Sequence, residues 1–143
     1  MKRREKKNNK GFSLVELIVV IAIMIVLVAV LAPVFTKYVE QSRRATDVQN
    51  ANTIAEAVLT DAADGTITGD TKAVVVAGTP SSIKSTPVAK GDAVKKGGSF
   101  VFDYTKSTNT VKVYVSTDAT ADNADTTYDL TDEEQAKAYK DKQ

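Results

Sequence analysis

The polar and apolar positions divide the chain into stretches of different grain. Residues 1–10 are almost wholly polar and charged. From Leu17 to Phe35, nineteen consecutive residues carry no charge and no polar side chain. After Phe35 the pattern becomes periodic. In "TKYVEQSRRATDVQNANTIAEAVLTDAAD" (36–64), Val48, Ala51, Ile54, Ala55, Val58, Leu59 and Ala62 recur at steps of three and four. That is the period of a helix with one apolar face. Neither Gly nor Pro interrupts this stretch, and Gly65 follows as a natural stop. One helix is expected over 12–64, apolar all round in its first half and amphipathic in its second. Pro33 cannot donate to the Ala29 carbonyl, so a kink or local melting is expected there.

Beyond Gly65 the period changes to two. "KAVVVAG" (72–78) reads as a short strand closed by a Gly-Thr-Pro turn. "SFVFDY" places Phe100, Phe102 and Tyr104 on one face, and "VKVYVS" does the same for Val111, Val113 and Val115. "TKSTNT" between them suits a hairpin. "YDL" (128–130) suggests an edge strand. "TDEEQAKAYKDKQ" opens with Thr131 and Glu134 at capping-box spacing and reads as a short helix. The fold class is α+β: a long N-terminal α-helix packed on a small antiparallel β-sheet head. The second half of the helix must supply part of the head's core, because the head alone is small.

Charge and composition sharpen this layout. The 143-residue chain has a formal net charge of +1. Residues 1–10 alone carry +5, from Lys2, Arg3, Arg4, Lys6, Lys7 and Lys10 against Glu5. The remainder is mildly acidic, which speaks against a nucleic-acid partner. With no cysteine and no histidine, the chain has no disulfides, no Cys/His zinc site and no Cys- or His-based catalysis. No nucleophile–base pair or phosphate-cradling loop appears either, so an enzyme and a cofactor are not expected.

The apolar run meets the length needed to span a bilayer. Its basic flank places the N-terminus in the cytoplasm and the head outside. A secretory signal peptide would have a shorter apolar region, and a cut after Ala32 would leave an ill-suited Pro33 behind it. A plain anchor does not explain Glu16, a carboxylate in the opening turn of the span, where an unpaired charge costs up to about 3 kcal/mol.

Gly11, Phe12, Ser13, Leu14, Val15 and Glu16 ("GFSLVE"), behind a basic leader and before the span, resemble the class III signal of type IV pilins and pseudopilins. The short leader, Phe12 and Pro33 resemble the type IVa subgroup. The resemblance implies a leader (1–11) cut between Gly11 and Phe12 by a prepilin peptidase, then N-methylation of Phe12. It also implies a transmembrane and polymerisation helix (12–35), its amphipathic continuation (36–64) and a globular head (65–143). Glu16 would set filament register by meeting its own or a neighbour's N-terminal amine, and Pro33 would lie in a pliable segment. Implied partners are membrane lipid before assembly, a platform protein with its assembly ATPase, and copies of the chain itself in a surface filament. The expected function is a pilus subunit. The alternatives are a pseudopilin of a secretion or DNA-uptake machine, and a single-span protein with a ligand-binding head. Lack of a C-terminal cysteine pair departs from many Gram-negative major pilins.

Two constellations remain. Asp118, Asp122, Asp125 and Asp129 fall in one acidic segment, comparable in place to a calcium site of some pseudopilins. The spacing is not that of an EF-hand, and a solvated loop is expected instead. Lys84, Lys90, Lys95 and Lys96 read as a solubilising surface.

Overall fold

The computed structural model describes residues 11–83, 85, 87–91, 98–117, 124, 125 and 127–142. The expected leader lies outside the described residues, except for Gly11. Six elements follow in chain order: α1 (Leu14–Ala63), β1 (Thr71–Val75), β2 (Ser99–Thr105), β3 (Thr110–Ser116), β4 (Ala124–Asp125) and α2 (Glu133–Asp141). The chain divides into two compact units, Met1–Lys37 and Tyr38–Gln143, and α1 contributes to both.

In the first unit, every described side chain from Gly11 to Lys37 is exposed. The apolar part of α1 is long enough to cross a membrane, and none of it is buried. Many of its residues are β-branched and poor helix formers in water. In lipid the choice is forced, because only a helix satisfies the backbone of a single span. α1 runs on through Pro33, which leaves the Ala29 carbonyl without its usual helical donor. The Thr36 hydroxyl donates to the Pro33 carbonyl at 2.9 Å.

The second unit is built around one stripe of α1. Arg44, Asp47, Ala51, Ile54, Val58 and Asp61 follow one another at steps of three and four, and all are buried. The apolar members pack with Phe100, Phe102 and Tyr104 of β2 and with Val111, Val113 and Val115 of β3. Leu130 and Tyr139 join the same cluster. Ile54, Val58, Phe100, Phe102 and Val113 have essentially no exposed surface, and burying each contributes about 1.5–3 kcal/mol. Val48, Ala55, Leu59 and Ala62, also expected on the apolar face, pack against this cluster while half-buried.

α1 ends as Gly65 suggests. Gly65 has φ of 80°. Its N–H donates to the Ala62 carbonyl at 3.3 Å, and the Thr66 N–H donates to the Asp61 carbonyl at 2.8 Å. This pair of bonds is a Schellman motif.

The strands form one antiparallel sheet in the order β1-β2-β3-β4. The β2–β3 hairpin pairs Phe102 with Val113 and Phe100 with Val115, as alternation requires. Its turn closes on Asn109, at φ 51°, a conformation that asparagine tolerates better than most residues. Three expectations are corrected. β1 stops at Val75 and carries a bulge between Thr71 and Val74. "YDL" is not a strand: the Asp129 carboxylate takes the Val113 N–H at 3.3 Å, where a backbone carbonyl would sit in a ladder. The edge strand is β4 instead. The cap of α2 is Asp132, which accepts from Gln135 N at 2.9 Å. Thr131 turns inward and donates to the Val111 carbonyl at 3.1 Å.

Two buried carboxylates on α1 hold the connection between β1 and β2. Asp61 accepts from Ser81 N at 2.6 Å, from Ser81 Oγ at 3.0 Å and from Ser82 Oγ. Asp47 accepts from Lys90 N at 2.7 Å, Gly91 N at 2.8 Å and the Tyr139 hydroxyl at 3.1 Å. One loop is thus fixed at both ends along the helix, and α2 is tied to the same point. Arg44 donates from Nε to Glu40 at 3.1 Å, and from Nη1 to the Lys142 carbonyl.

Gly91 has no room for a side chain. An added Cβ would lie 2.7 Å from Tyr139 Oη and 3.0 Å from Asp47 Oδ2. Gly91→Ala therefore destabilises the head by about 1–3 kcal/mol, read as a lower urea midpoint for the full chain in detergent. The two aspartates respond oppositely to acid. Burial raises the pKa of Asp47 and outweighs its three hydrogen bonds. Burial acts the same way on Asp61, but its bonds from Ser82 and Ser81 outweigh it and hold the carboxyl below its ordinary 3.8. The stability advantage of wild type over Asp61→Asn is full above that ordinary value, and is lost as pH falls through the lowered one. For Asp47 the folded state takes up the proton first. Wild type therefore gains on Asp47→Asn as pH falls through the raised value toward 3.8. Urea titrations across this range should give slopes of opposite sign.

Candidate functional site

Gly11, Phe12 and Ser13 precede α1 and are not helical. Phe12 is 93% exposed. A Cβ added to Gly11 would meet nothing within 4 Å. No packing among the described residues asks for glycine there.

Ser13 occupies the N-cap of α1, and its carbonyl accepts the Leu17 N–H at 3.2 Å. Glu16 is the third residue of the helix. Its Oε2 accepts the backbone N–H of Ser13 at 2.9 Å. This is the reciprocal half of a capping box, in which a glutamate satisfies a donor that the helix leaves open. The carboxylate also lies at the positive end of the helix dipole. The signal for this cap is present in the sequence as S-x-x-E over 13–16. The bond folds the Glu16 side chain back over Ser13, the residue that follows Phe12.

Pro33 stands apart from these residues, well along α1. The acidic segment divides. Asp118, Asp122 and the side chain of Asp125 lie outside the described residues. Asp129 is not part of a solvated loop. It is buried, and its Oδ1 accepts from Thr131 N at 3.0 Å and Thr131 Oγ1 at 2.6 Å. No group of three acidic residues suited to a metal occurs among the described residues. Lys84, Lys95 and Lys96 lie outside them as well. Lys90 is exposed, while its N–H is bound by Asp47.

A non-helical Gly11-Phe12 pair, a capped start with Glu16, and an exposed apolar helix form one contiguous arrangement. Residues 6–32 match the prokaryotic N-terminal methylation motif. This motif is the class III signal of type IV pilins and pseudopilins. No curated protein and no solved structure matches the chain. The motif ends at residue 32, so it describes the N-terminal signal and the first half of α1. The signal and the α+β layout together are similar to those of type IV pilins and pseudopilins, and the apolar helix behind the signal is long enough to cross a membrane.

Glu16→Gln keeps an acceptor for the Ser13 N–H, whereas Glu16→Ala removes it. The alanine variant should lose roughly 1 kcal/mol of capping. Amide exchange at Ser13 in micelles should then be about fivefold faster for Glu16→Ala than for Glu16→Gln.

Proposed function

We propose that the chain is the structural subunit of a type IV pilus. The observation that carries this reading is the joining of the methylation motif to a helix whose apolar half is wholly uncovered. Such a helix needs either lipid or other helices around it. The head has its own core, built with the second half of α1.

In this reading the N-terminus lies in the cytoplasm and the head outside. Prepilin peptidase cuts between Gly11 and Phe12, and the new amine of Phe12 is methylated. The subunit then waits in the bilayer. A platform protein, driven by an assembly ATPase, transfers it into a surface filament of identical chains. Glu16 meets an N-terminal amine and sets register. Inside a packed core this ion pair gains strength, although desolvation offsets much of it, so its worth lies in specifying position. Pro33 provides the segment of α1 that extends or melts as subunits pack.

Two measurements test the proposal. The mass of the chain recovered from cells with a prepilin peptidase should correspond to residues 12–143 plus one methyl group. An intact residue 1–11 segment would contradict it. Glu16→Ala should still be cut, yet filaments sheared from the cell surface should fall to background. Wild-type filament yield from that variant would remove Glu16 from the assembly contact. A processed wild-type chain that never reaches long surface filaments would place it in a secretion or DNA-uptake machine instead.

A further inference from the structure

Three unusual features meet around the β1 bulge. The first is a cleft of about 490 Å³, whose walls include Asp70, Thr71, Lys72, Asp103, Lys112 and Tyr114. Small-molecule sites commonly measure about 300–1,000 Å³. The second is strain. Ala73, in the β1 bulge, has φ of 53°, which costs a residue with a Cβ about 1–2 kcal/mol. Strained backbone of this kind gathers at functional sites. The third is Thr71, whose buried hydroxyl has no hydrogen-bond partner among the described residues. An unsatisfied buried hydroxyl costs about 1–3 kcal/mol.

The groups around the cleft are held in place. Asp103 Oδ1 accepts the Ala73 N–H at 2.7 Å, so the strained residue fixes the carboxylate. Asp70 Oδ1 accepts the Lys106 N–H at 2.8 Å. Lys112 stands opposite Asp103 in the β2–β3 register. Tyr114, which lines the cleft, pairs with the buried Val101 in the β2–β3 register. Burial, with the Asp103 and Asp129 charges, raises the Tyr114 pKa, so its phenol remains a donor at neutral pH.

This composition selects a chemistry. Two lysines and two aspartates cancel in formal charge, so the cleft has no net field to draw a strong anion or cation. It presents fixed acceptors, fixed donors and hydroxyls, with aliphatic lysine stems and a tyrosine as apolar surface. A ligand that matches is uncharged, rich in hydroxyl groups that both donate and accept, and apolar along its C–H groups. We propose that this cleft binds a neutral saccharide. Its hydroxyls donate to Asp70 and Asp103 and accept from Lys72, Lys112 and Tyr114.

The test uses the full-length, isotopically labelled chain in phosphocholine micelles, a detergent without a sugar head group. Lactose and N-acetylglucosamine are titrated to about 50 mM, with glucuronate and glucosamine as charged counterparts, since simple sugar sites bind in about the millimolar range. The amides of Thr71, Lys112 and Tyr114 should shift saturably with a neutral sugar. Tyr114→Phe and Lys112→Ala, which each remove one donor, should weaken binding about fivefold or more. The proposal fails if no saturable shift appears, if a charged sugar shifts these amides more strongly, or if both variants bind like wild type. The filament reading is not at stake, because the measurement is made on unassembled chain.

Discussion

The apolar half of α1 is uncovered along its whole length, and this constraint organises the rest of the molecule. A helix with no polar face cannot rest in water, so the first half of α1 has a place only in lipid or among other helices. The second half of the same helix must do the reverse. It carries one buried stripe and leaves its opposite face to solvent. The change occurs within an unbroken helix, through composition alone. A single element thus joins a membrane anchor to a folded head.

In the head, the stripe is not purely apolar. Asp47 and Asp61 bracket Ala51, Ile54 and Val58. Each holds one end of the loop between β1 and β2 through backbone N–H groups. Helix, loop and α2 are therefore fixed by directed bonds as well as by packing. At Gly91 the loop lies against side chains of both α1 and α2. A small head with no disulfide gains specificity from these contacts, since an unpaired carboxylate at either site would be strongly destabilising.

Much of this was legible in the sequence, where period and spacing carry the signal. The three-and-four steps from Val48 to Ala62 marked the buried face of α1, and alternation marked Phe100, Phe102, Val111 and Val113. Gly65 announced its cap. The failures have one physical cause. Asp47 and Asp61 look like surface residues, because their donors come from a loop distant in sequence, and Asp129 does so because one of its donors lies on β3. Nothing local reveals a backbone N–H that arrives from elsewhere. "YDL" does send the Leu130 N–H to the Val113 carbonyl, but the Asp129 carboxylate takes the Val113 N–H where the next ladder bond would fall. The capping role of Glu16 is local and visible in S-x-x-E, although the same carboxylate also fits the processing motif. For Gly11 and Phe12 the structure adds an exposed, non-helical setting, and the matched motif supplies the chemistry expected there.

The account depends on what surrounds α1 after the chain leaves the membrane. Electron cryomicroscopy of filaments built from this chain tests that directly. The account predicts that residues 12–35 of many copies pack along the filament axis, with each Glu16 carboxylate within hydrogen-bond reach of a Phe12 amine. Filaments held together by heads alone, with this segment of α1 outside the core or absent, would contradict it.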